Sequence, residues 1–316
     1  MIVVRMIMGL GNQMFQYAAA KSLALEKNTS LMLDLSSYAG YGLRKYELEN
    51  YFNIKVDVIK ESQLSRYFYN HPVKRVWNKL VPGRTIRTLG LPYEEKGVPY
   101  FLLNTYDLLF PPYKRKTYQE PHYYFDEHFF QANEDVFLQG YWMSWRYFEK
   151  YKHQILEEFI MNDDKFSSLN WIVNEIESTN SVSIHIRRTD TVSPKVAEQK
   201  GSLSAGFYYE AVSYILSKVE DPVFYVFSDD IQWAKENLLI KNAKVYFISN
   251  NVVNTAKEDF YLMSKCRHSI IANSTFSWWA AYIGSQKDKL TIAPKKWMTD
   301  SRYNCKDIYP PEWILL

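Results

Sequence analysis

Through the second half of the chain, short apolar runs alternate with amphipathic stretches. In residues 181–187, Val182, Ile184 and Ile186 alternate with Ser183, His185 and Arg187, the period-2 pattern of a strand. The same criteria predict further strands over 223–227, 244–248, 268–272 and 290–293, with helices over 207–219, 231–239, 255–266 and 275–283 between them. Five strands separated by helices imply a parallel, doubly wound sheet. The chain opens in a similar βαβ manner. An apolar run over 2–8, interrupted by Arg5, leads through GLGNQ into a helix over 13–27, followed by a strand over 31–35. The apolar face of that helix uses Met14, Phe15, Ala18, Leu23 and Leu25. A strand over 137–143, ending at Gly140, and a helix over 145–161 lead to a domain junction within 145–165. Residues 1–155 and 156–316 are the expected domains. Between 46 and 121 the pattern defines no clear elements.

Length and composition narrow the class. At 316 residues the chain can form two domains, and 47% hydrophobic content makes it globular. A net charge of +3 is too small to imply a nucleic-acid partner without a local basic patch. The 17% aromatic content suits a protein that stacks rings on sugars, and equally a tyrosine-rich core. The two cysteines, Cys266 and Cys305, have no disulfide or zinc spacing, and Cys266 lies in an apolar helical pattern as a small buried residue. A reducing compartment is expected. No apolar run approaches the ~18 residues of a membrane span, and the first strand begins too early for a signal peptide, so the expected location is the cytoplasm. Residues 62–93 have no acidic side chain, while Arg66, Lys74, Arg75, Lys79, Arg84 and Arg87 interleave with Tyr67, Phe68, Tyr69 and Trp77. Such a stretch suits peripheral contact with anionic lipid at the inner membrane face, an acidic or lipid-linked substrate, or single-stranded nucleic acid. A solvated helical insertion whose long side chains cover apolar surface is the alternative.

The candidate chemistry lies at strand ends. In an open α/β sheet, ligands bind at the carboxyl ends of strands, where residues 181–187 deliver Arg187, Arg188 and Asp190. Guanidinium forks match phosphate oxygens two at a time, so the pair suits a pyrophosphate, or else is a surface pair held by Asp190. Asp229 and Asp230 follow the next strand. Ser228 or Asp229 is expected to cap the helix after it, and Thr255 with Glu258 forms a capping box. Asp259, in the first turn of its helix, could accept the two adjacent donors of guanine or serve the helix dipole. Asn273, Ser274, Thr275, Phe276 and Ser277 open a helix as an anion site. The chain contains no Asp-x-Asp, and neighbouring Asp229 and Asp230 should point apart, so no bound metal is expected. Gly9 and Gly11 occupy the first βα turn, but Met14 replaces the third glycine of a dinucleotide fingerprint. The amides of Asn12 and Gln13 are expected to project into the crevice mouth.

GLGNQMFQYAAAKSLA at 9–24, GYW at 140–142, HIRRTD at 185–190, FSDD at 227–230 and EDFYLMSKCRHSIIANSTFSWWAAYIG at 258–284 together resemble the bacterial α-1,2-fucosyltransferases of glycosyltransferase family 11. The resemblance spans both ends of the chain and most of its second half, but not the basic aromatic stretch. It implies a GT-B fold, with two Rossmann-like domains facing a central cleft. Residues 1–155 would be the acceptor side, with an insertion over about 60–120, and 156–316 would bind GDP-fucose. It also implies inverting transfer with no cofactor or metal. Arg187 and Arg188 would lie at the GDP phosphates, His185 and Asp259 at guanosine, and Asp229 or Asp230 in the same pocket. Thr275, Phe276 and Ser277 would surround the diphosphate, and Asn12 would approach the fucose. The acceptor would be a galactose-terminated glycan, lipid-linked or free, in surface-glycan (O-antigen) synthesis. Asp190 is the positional candidate for a general base, unless it pairs with a motif arginine. The alternatives are an inverting fucosyltransferase of other linkage or acceptor, and a non-catalytic nucleotide- or sugar-binding protein of the same fold.

Overall fold

The structure, a computed structural model, describes residues 1–39, 44–68, 111–188, 201, 203–284, 288–300 and 303–316. Most of the basic aromatic stretch, as well as Asp190, lies outside these residues. The chain forms two compact units: 1–49 with 54–158 and 304–308, and 50–53 with 159–303 and 309–316. A single cut in the sequence does not contain these two short exchanged segments.

The first unit contains β1 (Ile2–Arg5), α1 (Leu10–Glu26), β2 (Leu31–Asp34), the first half of the short α2 (Leu48–Tyr51), β3 (Asp57–Val58), α3 (Glu61–Phe68), β4 (Thr117–Gln119), β5 (Val136–Gln139) and α4 (Lys152–Glu158). Its strands are parallel in the order β3-β2-β1-β5-β4. Ile2, Val3 and Val4 of the central strand are fully buried, as an all-parallel sheet covered on both faces requires. Helix α1 departs from its expected amphipathic form. Leu25 is only half-buried, whereas the polar Gln13, Gln16 and Ser22 are fully buried. The sheet, α4 and the turns at Phe129–Gln131 and Trp145–Tyr147 all pack around it, so it has no broad solvent face. The expected helix over 145–161 is likewise shorter. Two 3-10 turns precede α4 because Phe148, at φ −132° and ψ 4°, interrupts the helical path.

The GYW segment shows why its glycine is needed. Glu120 is fully buried after β4, and its carboxylate accepts the backbone N–H groups of Tyr141 at 2.6 Å and Trp142 at 3.0 Å. A Cβ on Gly140 would stand 2.4 Å from Glu120 Cβ. Gly140→Ala should therefore destabilise the protein by ~1–3 kcal/mol through overpacking, measurable as a lower denaturation midpoint. An unchanged midpoint would mean that Glu120 can move aside at no cost.

The second unit contains α5 (Asn170–Ser178), β6 (Asn180–Ile186), α6 (Ala205–Lys218), β7 (Pro222–Ser228), α7 (Ile231–Asn237), β8 (Lys244–Phe247), α8 (Ala256–Lys265), β9 (His268–Ile270), α9 (Thr275–Ile283), β10 (Thr291–Ala293) and β11 (Ile314–Leu315). The five expected strands form here, with a sixth, β11, too short to show a period. All are parallel, in the order β11-β10-β9-β6-β7-β8. The order reverses between β6 and β9, so the crevice at a topological switch point lies above their carboxyl ends. One face of the sheet packs Val182, Ile184 and Ile186 against Tyr208, Ala211 and Ile215 of α6, with Ala234 of α7. Ser183, His185 and Arg187 alternate onto the other face, where the His185 ring lies 5.9 Å from that of Phe276 in α9.

Candidate functional site

The register of β6 and β7 explains two motifs together. His185 pairs with Phe227 and Ile186 with Ser228, so one step further each arginine meets a carboxylate. Arg187 Nε lies 3.9 Å from Asp229 Oδ2, and Arg188 Nε lies 3.9 Å from Asp230 Oδ2. Asp229 Oδ1 also accepts the backbone N–H of Arg188 at 2.9 Å, joining the two strand ends. The adjacent aspartates thus point to different partners. At 3.9 Å these are ion pairs without hydrogen bonds, and about 30% of each arginine side chain remains exposed. Among the described residues, neither guanidinium commits an N–H donor to a hydrogen bond.

The cap of α7 falls one residue later than the sequence pattern suggests. Asp230 Oδ1 accepts the Trp233 N–H at 3.0 Å, and Ser228 Oγ in turn accepts the Asp230 N–H at 3.0 Å. Neither Ser228 nor Asp229 is the capping residue, because Asp229 is occupied by β6. The capping box of α8 forms as expected, with Glu258 N–H on Thr255 Oγ1 at 3.2 Å and Thr255 N–H on Glu258 Oε2 at 3.0 Å.

Asp259 has a different environment from its neighbour Glu258. Its Oδ2 accepts a 2.7 Å hydrogen bond from Ser249 Oγ, and that hydroxyl accepts the Ser228 N–H at 3.0 Å. Its Oδ1 is buried and has no hydrogen-bond partner among the described residues. Burial, with the nearby Glu258 charge, raises the carboxyl to about 7, although the Ser249 bond acts in the opposite direction. An unsatisfied, partly protonated carboxylate in a native fold is a feature expected of a binding site. His185 is similar. It is buried with Nδ1 unpartnered among the described residues, and burial together with the Arg187 charge lowers it to about 4. It is therefore neutral at physiological pH.

The start of α9 lies beside His185. Ser274 is its extended N-cap, but its side chain makes no capping bond, an arrangement that suits an anion at the positive end of the helix dipole. Ser277 Oγ turns back to the Ser274 carbonyl at 3.2 Å. Thr275 is half-buried, and the Phe276 ring packs against Phe260 at 5.1 Å. Asn273 differs from expectation: its Nδ2 donates to the carbonyl of Gly201 at 3.1 Å and ties down a residue of positive φ.

Asn12, Gln13 and Gly11 belong to the first unit. Gln13 does not project into a crevice. It is fully buried, with Nε2 donating to the Met8 carbonyl at 3.0 Å and the Lys45 carbonyl at 2.8 Å, while Oε1 accepts the Glu47 N–H at 2.9 Å. Its amide is spent on a turn whose left-handed residue is Met8, at φ 66°, rather than Gly9 or the buried, helical Gly11. Tyr38 also donates to the Met8 carbonyl at 2.9 Å. Gln16 completes the support, accepting Ile7 N–H at 3.0 Å and donating to the Gly140 carbonyl at 3.3 Å. Asn12 is half-buried in the first turn of α1, and its side chain makes no hydrogen bond among the described residues.

Ser249, which bonds Asp259, and Trp233, which lies under Arg188, are candidates that the sequence reading omits. Ser249 lies two residues past the end of β8, as Arg188 lies two past the end of β6, so the strand-end rule could have found it. Trp233 carries no such signal. Among the described residues, no group of three His, Cys, Asp or Glu side chains could hold a metal ion, and no helix is long and apolar enough to cross a membrane.

Two sheets of parallel strands, each flanked by helices, make this an α/β fold of the GT-B type. The likeness to solved structures agrees at the level of fold: fucosyltransferase NodZ from Bradyrhizobium matches with a TM-score of 0.50 and 15% identity, covering 88% of this chain and 90% of that one. Residues 101–316 match the model of Glycosyl transferase family 11, and the chain belongs to that family. An Escherichia coli alpha-1,2-colitosyltransferase is 31% identical, with 99% of this chain and 98% of the relative covered. The O-antigen biosynthesis glycosyltransferase WbnK, also from Escherichia coli, is 31% identical, with 98% of each covered. The chain is therefore a glycosyltransferase.

Proposed function

We propose that this glycosyltransferase moves L-fucose from GDP-fucose to the 2-hydroxyl of a terminal β-galactoside, inverting the anomeric centre without a metal ion. The observation that carries the proposal is the pairing of Arg187 with Asp229 and of Arg188 with Asp230 at the end of β6, the strand whose His185 ring lies near Phe276 in the first turn of α9. Breaking the sugar–phosphate bond leaves charge on the β-phosphate. Fixed guanidinium groups and helix N–H groups stabilise that charge as a metal would, and they need no reorganisation during the step. Asp259, through its unpartnered Oδ1, and neutral His185 would hold guanosine, with Asp229 and Asp230 keeping the arginines in place. Thr275, Phe276 and Ser277 would enclose the diphosphate. Asn12, whose side chain makes no hydrogen bond among the described residues, would approach the sugar from the acceptor-side domain, 1–155. Inversion in one displacement also requires a proton acceptor for the attacking hydroxyl. Asp190 is the candidate: Asp190→Asn should lower kcat and remove the acidic limb of the pH–rate profile, and an unchanged kcat would eliminate it as the base.

Linkage and setting draw support from the relatives' names, an alpha-1,2 transferase and an O-antigen enzyme. The acceptor would accordingly be a galactose-terminated intermediate of a bacterial surface glycan. The colitosyl relative favours a second donor, GDP-colitose, as the specific alternative. Incubation with lactose, excess EDTA and each donor in turn tests both. The expected result is a fucosylated product, its 1→2 linkage established by NMR, at a rate EDTA does not change. A strict manganese requirement would sink the metal-free mechanism, and turnover with GDP-colitose alone would replace the donor.

Peripheral contact with the cytoplasmic face of the membrane is also proposed for the stretch 62–93. Arg66 and Tyr67 would contribute little, since both bind Asp135, at 2.6 and 2.7 Å. The remaining basic residues should cause co-sedimentation with phosphatidylserine vesicles at low salt, and none at high salt. No pelleting at low salt would end this proposal.

A further inference from the structure

Arg188 presents a physical problem that its surroundings solve. An arginine that must meet a phosphate has to be immobilised beforehand, because its rotamer entropy would otherwise be lost during catalysis. A tight carboxylate pair would immobilise it, but would also occupy the N–H donors the phosphate needs. In this structure the Arg188 guanidinium carbon lies 3.9 Å from the centre of the Trp233 ring, while Asp230 stays at 3.9 Å from Nε. A stacked aromatic face restrains the guanidinium plane and consumes no N–H donor. Among the described residues, the side-chain N–H groups of Arg188 make no hydrogen bond.

The ring is itself held. Its backbone N–H donates to Asp230 Oδ1 at 3.0 Å, and the Asp230 N–H donates to Ser228 Oγ at 3.0 Å. The Arg188 backbone is fixed separately, through its N–H on Asp229 Oδ1 at 2.9 Å. Strand alternation places Arg188 on the same face of the sheet as Ile186, the face that α7 covers. Trp233, in the first turn of α7, therefore supports it from that face.

We infer that Trp233 is a positioning residue, an aromatic shelf that pre-orients Arg188 while leaving its hydrogen-bond donors for the leaving diphosphate. The inference rests on the donor role proposed above for Arg188. Removing the shelf should slow turnover more than it weakens ground-state binding, since a loosened cation still attracts GDP but is poorly placed as charge develops.

The test is a variant series on the full chain, reading kcat and donor KM separately, with GDP affinity measured by calorimetry. Trp233→Leu should lower kcat about tenfold, the scale of one cation–π contact, and change donor KM and GDP affinity less than threefold. Trp233→Phe, which restores a π face, should recover kcat to within about threefold of the parent. If the leucine variant does not fold, Trp233→Met takes its place with the same expectation. In an Arg188→Ala background, Trp233→Leu should cause no further loss. Unchanged kcat in the leucine variant, equal losses in the leucine and phenylalanine variants, or losses that multiply with Arg188→Ala would each overturn the inference. Full activity of Arg188→Ala alone would overturn it as well and would also remove the donor role of Arg188, which the other three outcomes leave standing.

Discussion

Arg187→Ala should lower kcat by ~10²–10³-fold, or ~2.7–4 kcal/mol in barrier, while the protein stays folded. The guanidinium lies on the face of the sheet that carries His185, whose ring is near Phe276 at the start of α9. Charge that develops on a departing diphosphate there has two fixed sources of stabilisation, the arginine and the first-turn N–H groups. Removing one leaves only part of the compensation. Stability should barely respond. The Arg187–Asp229 pair is 3.9 Å long with each side chain roughly 30% exposed, and such pairs contribute ~0–1 kcal/mol. Arg187→Lys should recover only part of the rate, because an ammonium keeps the charge but loses the fork. Rates from GDP-fucose, with circular dichroism as the folding control, check this. Near-normal turnover of Arg187→Ala would refute the role assigned to the arginine.

Asp259→Asn should raise donor KM by ~10²-fold while making the free protein more stable above neutral pH. A guanine edge offers adjacent N–H donors to a carboxylate, whereas an asparagine turns one of its own donors toward them, and charged hydrogen bonds contribute ~1.5–3 kcal/mol. The pH dependence follows from the raised carboxyl, at about 7. If the donor binds the carboxylate form, KM for the parent protein should be flat above pH 7 and rise about tenfold per unit below it, a dependence the asparagine variant lacks. The stability effect has its own sign. A carboxyl raised above its unfolded value of 3.8 binds its proton more tightly when folded. The parent therefore loses stability between pH 4 and 7, where the unfolded chain's carboxyl has ionised and the buried one still holds its proton, by at most roughly 4 kcal/mol. Asparagine cannot ionise, so its advantage should be absent near pH 4 and complete near pH 8. Thermal midpoints across that range, alongside donor KM, separate a binding carboxylate from a structural one. A loss of stability at pH 8 in the variant would identify Asp259 as a dipole partner of α8.

Much of the second unit is legible locally, because each strand and helix carries its own period. Residues 275–283 are helical as predicted, and the capping box of Thr255 and Glu258 forms as its spacing implies. The first unit is less legible. β3 and β4 contain two and three residues, too few to show alternation. Gln13 resembles a crevice residue in sequence because a polar side chain at a helix start usually faces water. Here the chain at Lys45 and Glu47, more than 30 positions away, encloses it.

The sequence alone determined the alternation of strands and helices, the arginines at the end of a buried strand, and the family to which the chain belongs. These features depend on residues within one turn or one strand of each other, where periodicity directly records which side chains face an apolar core. Only the tertiary structure decided that Arg187 meets Asp229, that Arg188 lies over Trp233, and that Ser249 takes one oxygen of Asp259 and leaves the other unpartnered. The Arg188–Asp229 contact spans 41 positions. Pairings across such distances are set by sheet register and by which groups lose water together, and neither leaves a local trace.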